Sequence, residues 1–303
     1  MELKYHLVDV FTSTPLEGNP LAVFPDATDL DSETMQRIAR ELNLSETTFV
    51  LPKESNRSAT RVRIFGPQHE LEFAGHPTIG TAFVIRRLGI VDNESRKLVL
   101  QENVGPVSVF VDEGEDPIIW LEMPPIEMLA VYPPEKCAST LGLTSAQILP
   151  GLPCELLSAG VPMIFVPVDT PASVDQVQLD TVAFSQLVKD RTTPTSVFVF
   201  APTESGAYSR MFAPLLGIAE DAATGSATGP LAFFMMKHGL VGDDDGAYFT
   251  SEQGTKMGRR SLLHVKVRGR MGSDGILVGG KVADVATAVM RIPGPALARA
   301  GIV

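Results

Sequence analysis

The chain alternates short β-prone runs with a segment that is apolar on every side, and it does so twice in the same order. Val8–Phe11 and Leu21–Phe24 are β-branched or aromatic runs bounded by Pro and Gly, which predicts short strands. Ser32 to Leu42 sets Met35, Ile38, Ala39 and Leu42 at helical spacing, which predicts an amphipathic helix. Thr47–Leu51 and Arg61–Phe65 predict two further strands. Pro77 then stands where a first-turn residue belongs and Gly89 where a helix stops. Between them, Thr78-Ile-Gly-Thr-Ala-Phe-Val-Ile85 carries no charge on any face, the mark of a helix enclosed by protein.

The same pattern then returns. Phe73-Ala-Gly-His-Pro-Thr-Ile-Gly-Thr-Ala82, running on to Gly89-Ile90-Val91, is echoed by Ala223-Thr-Gly-Ser-Ala-Thr-Gly-Pro-Leu-Ala232, running on to Gly239-Leu240-Val241. Further back, Gly18-Asn-Pro-Leu-Ala-Val-Phe24 pairs with Gly160-Val-Pro-Met-Ile-Phe-Val166, and Thr48-Phe-Val-Leu-Pro52 with Val197-Phe-Val-Phe-Ala-Pro202. Arg63-Ile-Phe-Gly-Pro67 pairs likewise with Arg210-Met-Phe-Ala-Pro214. A repeat of about 150 residues is a duplicated domain, since repeat arrays use periods of roughly 20–50. The expected fold is α+β: two pseudo-symmetric domains, each a curled β-sheet or barrel around a central α-helix. Periodicity lapses near Pro124-Pro125 and Pro133-Pro134. The expected domains are therefore 1–125, joined by the tail 283–303, and 126–282. The strand-like segment Lys281 to Ile292 has no partner in the repeat and is expected to return and complete the first domain.

Composition narrows the function. A chain of 303 residues with 44% apolar content can bury two sizeable cores. Its formal charge of −11 and lack of a basic patch argue against nucleic acid as a partner. No apolar run approaches the ~20 residues of a membrane helix, and no basic-then-apolar leader precedes the first strand, so a cytoplasmic protein is expected. Cys137 and Cys154 read as reduced thiols rather than a disulfide framework. Asp243-Asp-Asp245 lacks the ligand spacing of a calcium loop, and His69, His238 and His264 lack metal-ligand spacing. Gly-Arg-Arg at 258–260 reads as a hairpin turn or a charged edge, and His6 as a structural residue of its strand.

Each glycine-led helix start offers unpaired N–H groups and the positive end of a dipole, a place for a carboxylate or developing oxyanion. A pseudo-twofold would bring the two starts together as a clamp, with acidic groups beside it to move protons. Three residues stand next to these starts. Glu46 opens a strand whose later copy has Thr195 at the equivalent place, so the carboxylate is present on one side only. His76 lies within the first glycine motif, where it can cap the helix or act as acid or base. Asp221 precedes the second, where it can complement the helix dipole or take part in chemistry.

The set Gly-Asn-Pro-Leu-Ala-Val at 18–23, Ser-Glu-Thr-Thr-Phe-Val at 45–50, Phe-Ala-Gly-His-Pro-Thr-Ile-Gly-Thr-Ala at 73–82, Glu-Asp-Ala-Ala-Thr-Gly-Ser-Ala at 220–227 and Gln-Gly-Thr-Lys-Met-Gly-Arg-Arg-Ser at 253–261 resembles the PhzF family, whose namesake is the phenazine-biosynthesis isomerase. The resemblance covers nearly the whole chain. It implies the fold of diaminopimelate epimerase, a homodimer, and no cofactor or metal. It also implies a catalytic set of Glu46 as general acid/base with His76 and Asp221 as partners. Gly75, Gly225, Ser226 and Asn19 would bind substrate, a small anionic or cyclic carboxylate such as trans-2,3-dihydro-3-hydroxyanthranilate. One departure is Ala222, where the family commonly has proline. Relatives of this fold that racemise with a pair of thiols would need cysteine at the positions of Ala74 and Thr224, and this chain has neither. Two readings of different class follow: a proton-moving isomerase, or a non-thiol epimerase or weakly active binding protein on the same fold.

Overall fold

Residues 1–52 and 59–293 are described by the computed structural model, and regular structure begins almost at once. The first half comprises β1 (Glu2–Val10), β2 (Asn19–Phe24), α1 (Ser32–Leu42), β3 (Glu46–Leu51), β4 (Thr60–Phe65), β5 (Glu70–Leu71), α2 (Gly75–Arg87), β6 (Lys97–Glu102), β7 (Gly105–Val111) and β8 (Ile119–Glu122). The second comprises β9 (Glu127–Tyr132), α3 (Pro134–Thr140), β10 (Cys154–Ser158), β11 (Pro162–Pro167), α4 (Pro171–Gln176), α5 (Thr181–Leu187), β12 (Ser196–Thr203), β13 (Gly206–Ala213) and β14 (Ile218–Asp221). It continues with α6 (Gly225–Lys237), β15 (Tyr248–Gln253), β16 (Ser261–Arg268) and β17 (Gly275–Gly280), after which β18 (Val282–Arg291) closes the chain's described part.

Pairing senses repeat strand by strand. β1–β2 and β10–β11 are antiparallel, β2–β3 and β11–β12 parallel, β3–β4 and β12–β13 antiparallel. β4–β6 and β13–β15 are again parallel, each crossing over through the buried helix α2 or α6. Two lobes of one topology result, and β8 joins them by pairing with β17, Leu121 opposite Val278. The fold is thus α+β, two pseudo-symmetric lobes each curled around a central helix, as expected from the repeat.

β18 lies antiparallel on β1, so the tail does return to the first lobe. It also has a counterpart, contrary to expectation: β9 lies antiparallel on β10 in the same way. The counterpart precedes its copy in the chain whereas β18 follows both, so alignment of the copies in order cannot reveal it. Positions 294–303 of the expected tail lie outside the described residues.

α2 is buried from Gly75 through Ala82, with Val84 and Ile85, which fits its lack of a polar face. One apolar core runs through both lobes, from Val8 and Ile79 to Phe234 and Val278. α1 instead packs outside the first lobe, where Met35, Ile38 and Ala39 meet Phe24 and Phe49. Its ends are fixed by Asp31, which accepts the Thr34 N–H at 2.8 Å, and by Asn43 in the left-handed region. The second lobe carries α3, α4 and α5 in that outer layer, with Phe184 fully buried beneath them.

Candidate active site

The starts of α2 and α6 abut. A Cβ added to Gly75 would lie 3.0 Å from Gly225 Cα, and one on Gly225 would lie 3.1 Å from Phe11 Cζ and 3.3 Å from Gly75 Cα. Only glycine permits this approach. Neither preceding residue, Ala74 or Thr224, caps its helix with its side chain. The first amides of both helices therefore face one place with no intrahelical acceptor, and both dipoles favour negative charge there.

Around that place the chain gathers Asn19, Glu46, His76 and Asp221 from separate elements. Asn19 opens β2 just after Gly18, whose φ of +67° and contact with the Val10 carbonyl exclude a side chain. The fully buried Asn19 spans the lobes: Nδ2 donates to Asp221 Oδ1 and to the Ala223 carbonyl, both at 2.8 Å. The same amide lies 3.4 Å from His76 Nδ1. Both amide protons already go to Asp221 and Ala223, and an amide nitrogen cannot accept, so Nδ1 is left without a proton and the ring proton is assigned to Nε2. His76 Nε2 is 3.3 Å from Glu46 Oε2. Asp221 Oδ2 accepts the Thr224 hydroxyl at 2.6 Å.

Burial sets the protonation states. It holds Glu46 well above the usual carboxylate range, and the charge of Asp221 pushes the same way. Asp221 is raised to about 6, burial outweighing hydrogen bonds from Thr224, Asn19, Ala222 and Ser45. His76 is lowered to about 3 by burial, so it is a neutral donor at physiological pH and not a cation. Asn19 Oδ1, Glu46 Oε2 and His76 Nε2 are all buried without a well-formed hydrogen bond. Three such atoms at one spot mark a site prepared for a ligand's polar groups. Two open depressions lie near the helix starts, one lined by Phe11 and the other by Phe73, and neither is lined by Glu46, His76 or Asp221.

Every residue singled out from the sequence converges here: Glu46, His76, Asp221, Asn19, Gly75, Gly225 and Ser226. The counterpart of Glu46 needs correction. Leu21 pairs with Glu46, and its repeat equivalent Met163 pairs with Ser196, so Ser196 and not Thr195 takes the equivalent place. The segment bearing α4 and α5 makes the second copy eight residues longer between these strands, which blurs the alignment of the two copies there. The asymmetry stands, because Ser196 is again no base.

Two side chains of the 253–261 motif contribute more than their local sequence signals. Gln253 Nε2 donates to the Asp221 carbonyl at 2.8 Å and to Thr224 Oγ1 at 3.0 Å, while its Oε1 accepts the Thr224 N–H at 3.1 Å. These bonds hold the loop that contains Ala222. Arg259, read as part of a turn, reaches into the first lobe: it pairs with Asp9 and donates to the carbonyls of Glu17 and Gly18, both at 2.9 Å. Membership of that motif is the only signal of either role in the sequence. The other candidates are structural: His264 bonds Tyr248, His238 faces Glu155, and Asp245 accepts the Gly269 N–H. Among the described residues no cluster of three or more His, Cys, Asp or Glu forms a metal site, and no helix is long and apolar enough to cross a membrane.

Comparison with known proteins identifies the family. Residues 8–288 match the family profile described as phenazine biosynthesis-like protein. The chain is 36% identical over 268 residues to trans-2,3-dihydro-3-hydroxyanthranilate isomerase of Pseudomonas chlororaphis, covering 88% of this chain and 91% of that protein. It superposes on the crystal structure of a PhzF-family phenazine biosynthesis protein of Bacillus anthracis with a TM-score of 0.85 and 25% identity, covering 96% and 100% of the two chains. A predicted epimerase of Pseudomonas aeruginosa superposes with a TM-score of 0.82 and 31% identity over the same shares.

Proposed function

The chain belongs to the phenazine biosynthesis-like protein family, and on that premise we propose that it is a cofactor-independent isomerase in which Glu46 moves a proton between two carbons of a small carboxylate-bearing substrate. The observation that carries the reading is the array Glu46–His76–Asn19–Asp221 beside two opposed helix starts. A substrate carboxylate or carbonyl placed against the amides of Gly75, His76, Gly225 and Ser226 is polarised by both dipoles. Ionised Glu46 takes the proton from a carbon next to that conjugated system, and the C–H electron pair spreads onto the oxygen. Neutral His76 stands with Nε2 3.3 Å from Glu46 Oε2, close enough to donate to it as the carboxylate forms. The same carboxyl then returns the proton to another carbon of the conjugated system. One C–H bond breaks, one forms, and nothing is oxidised.

The thiol route lacks its parts. Ala74 and Thr224 stand at the two helix starts, whereas Cys137 and Cys154 are buried in the outer layer of the second lobe. Asp221, ionised above about pH 6, orients Asn19 and Thr224 and keeps Glu46 basic.

Because its relative in Pseudomonas chlororaphis is trans-2,3-dihydro-3-hydroxyanthranilate isomerase, that compound is the substrate to try first. The chain would act on a small anionic or cyclic carboxylate as a cytoplasmic homodimer, with domains divided near residue 125 and the tail returned to the first. Incubation with this compound in D₂O should give an isomerised product that carries solvent deuterium on one carbon in each turnover in which the proton on Glu46 exchanges before it is returned. An isomerised product formed by the wild type and equally by Glu46→Gln would reject the reading.

A further inference from the structure

Glu102 is a buried carboxyl that this proton chemistry leaves unused. It ends β6 with 1% of its surface exposed. Its Oε1 lies 2.6 Å from Thr78 Oγ1, which also lies 2.7 Å from the Ala74 carbonyl. Oxygens this close share a proton, and a hydroxyl has only one to give. Thr78 serves Ala74 or Glu102, not both. A neutral Glu102 satisfies both contacts of Thr78: its O–H donates to Thr78 Oγ1, and Thr78 donates to the Ala74 carbonyl, while the buried Glu102 Oε2, which has no donor, is also easier to leave uncharged.

The second lobe offers an independent comparison. Arg61 pairs with Gln101 across β4–β6, and its repeat equivalent Tyr208 pairs with Glu252 across β13–β15, so Gln253 is the counterpart of Glu102. Gln253 is neutral and braces the start of α6 through Thr224 and the Asp221 carbonyl. At the same place in the first lobe stands an acid, which braces the start of α2 only while it keeps its proton. Burial supplies that condition by raising its pKa to about 8, against the lowering effects of Thr78 from α2 and of Arg61 from β4.

We propose that Glu102 is a positioning residue, a neutral acid whose proton fixes the start of α2 and thereby the approach of His76 to Glu46. When the proton leaves, Thr78 turns its hydroxyl to the carboxylate and releases the Ala74 carbonyl. The first turn of α2 then loses a restraint one residue before Gly75 and two before His76. The activity part of this proposal rests on the isomerase reading, but the protonation and positioning parts do not, so they are tested apart.

The variant is Glu102→Gln, which keeps the shape and copies the partner lobe. The folded wild type holds a proton that the unfolded chain releases above about pH 4.5, so its stability falls as pH rises toward 8. Its unfolding equilibrium constant should rise about tenfold per pH unit relative to Glu102→Gln between about pH 5 and 8, then level off. The ring resonances of His76 should show a step at about pH 8 in the wild type, where Glu102 loses its proton, that is missing from the variant, while any step from Glu46 is common to both. With trans-2,3-dihydro-3-hydroxyanthranilate, kcat should fall above about pH 8 in the wild type alone, with the variant within about twofold at neutral pH. A flat stability difference would mean that Glu102 is ionised in the fold, and a shared His76 shift or a shared alkaline fall would remove the positioning role. If neither protein turns the compound over, the substrate assignment fails while the unfolding and resonance measurements still decide the role of Glu102.

Discussion

At the scale of single residues, the proposed reaction depends on two carboxyls, Glu46 and Asp221, that the same desolvation raises. Glu46 must ionise to accept a proton from carbon, so Glu46→Gln, which keeps size but removes the base, should lower kcat by about 10²–10⁴. Steady-state kinetics with trans-2,3-dihydro-3-hydroxyanthranilate would measure this. The sign of the pH dependence follows from the direction of the shift. Since Glu46 is raised, kcat/KM should rise with pH through an acid limb well above the ordinary carboxylate range. Asp221→Asn removes the neighbouring charge and should move that limb toward lower pH, while burial keeps it above the ordinary value. A limb that moves upward, or stays, would show that Asp221 does not act on Glu46 electrostatically. Cys137→Ala and Cys154→Ala should leave kcat within about twofold, because both thiols lie outside the cleft in the second lobe's outer core.

At the scale of elements, what could be read from the sequence was what local periodicity and repetition encode. α1 has the predicted bounds Ser32–Leu42 because its apolar stripe, Asp31 cap and Asn43 stop are all local signals. α2 and α6 were legible because two uncharged stretches with matching glycines require enclosure twice over. α3, α4 and α5 were not: at six or seven residues they are too short to display a helical period, and two of them start behind a Thr or Asp cap whose role depends on context. The candidate site residues were legible as motifs, whereas Ser196 for Thr195 and β9 as partner of β10 needed pairing registers that no local pattern contains. The glycine motifs carry the clearest prediction at this scale. Gly75→Ala puts a Cβ 3.0 Å from the backbone of Gly225, and backbone cannot give way as a flexible side chain can. Overpacking of this kind costs about 1–3 kcal/mol, and here the displacement falls on the helix starts themselves. Chemical denaturation should show that loss, and turnover should drop by more than stability alone accounts for. Activity unchanged at the wild-type level would mean that the two helix starts need not abut for catalysis.

At the scale of the whole molecule, the duplication gathers the candidate site because the halves are tied across it. β18 on β1 and β8 on β17 make the ties in the sheet, and Asn19 crosses to Asp221 inside the cleft. Arg259 makes a fourth tie, from the β15–β16 connection to Asp9 on β1 and to the carbonyls just before Asn19. The Asp9 side chain is 3% exposed and Arg259 25%, so the pair is buried on one side and screened on the other. Loss of one partner of a fully buried pair costs about 3–5 kcal/mol. The partial exposure of Arg259 brings the expected loss for Arg259→Ala down to about 1–3 kcal/mol. Asp9→Asn in the same chain should recover part of it, since the stranded charge is then gone, and a double-mutant cycle by denaturation measures that coupling. Substrate affinity should behave differently. The carbonyls of Glu17 and Gly18 lose their donor in both Arg259→Ala and the double variant, so the loop that delivers Asn19 stays loose and KM stays raised in both. A double variant that regained stability and KM together would show that Arg259 only neutralises Asp9, and that the lobes hold Asn19 in place without it.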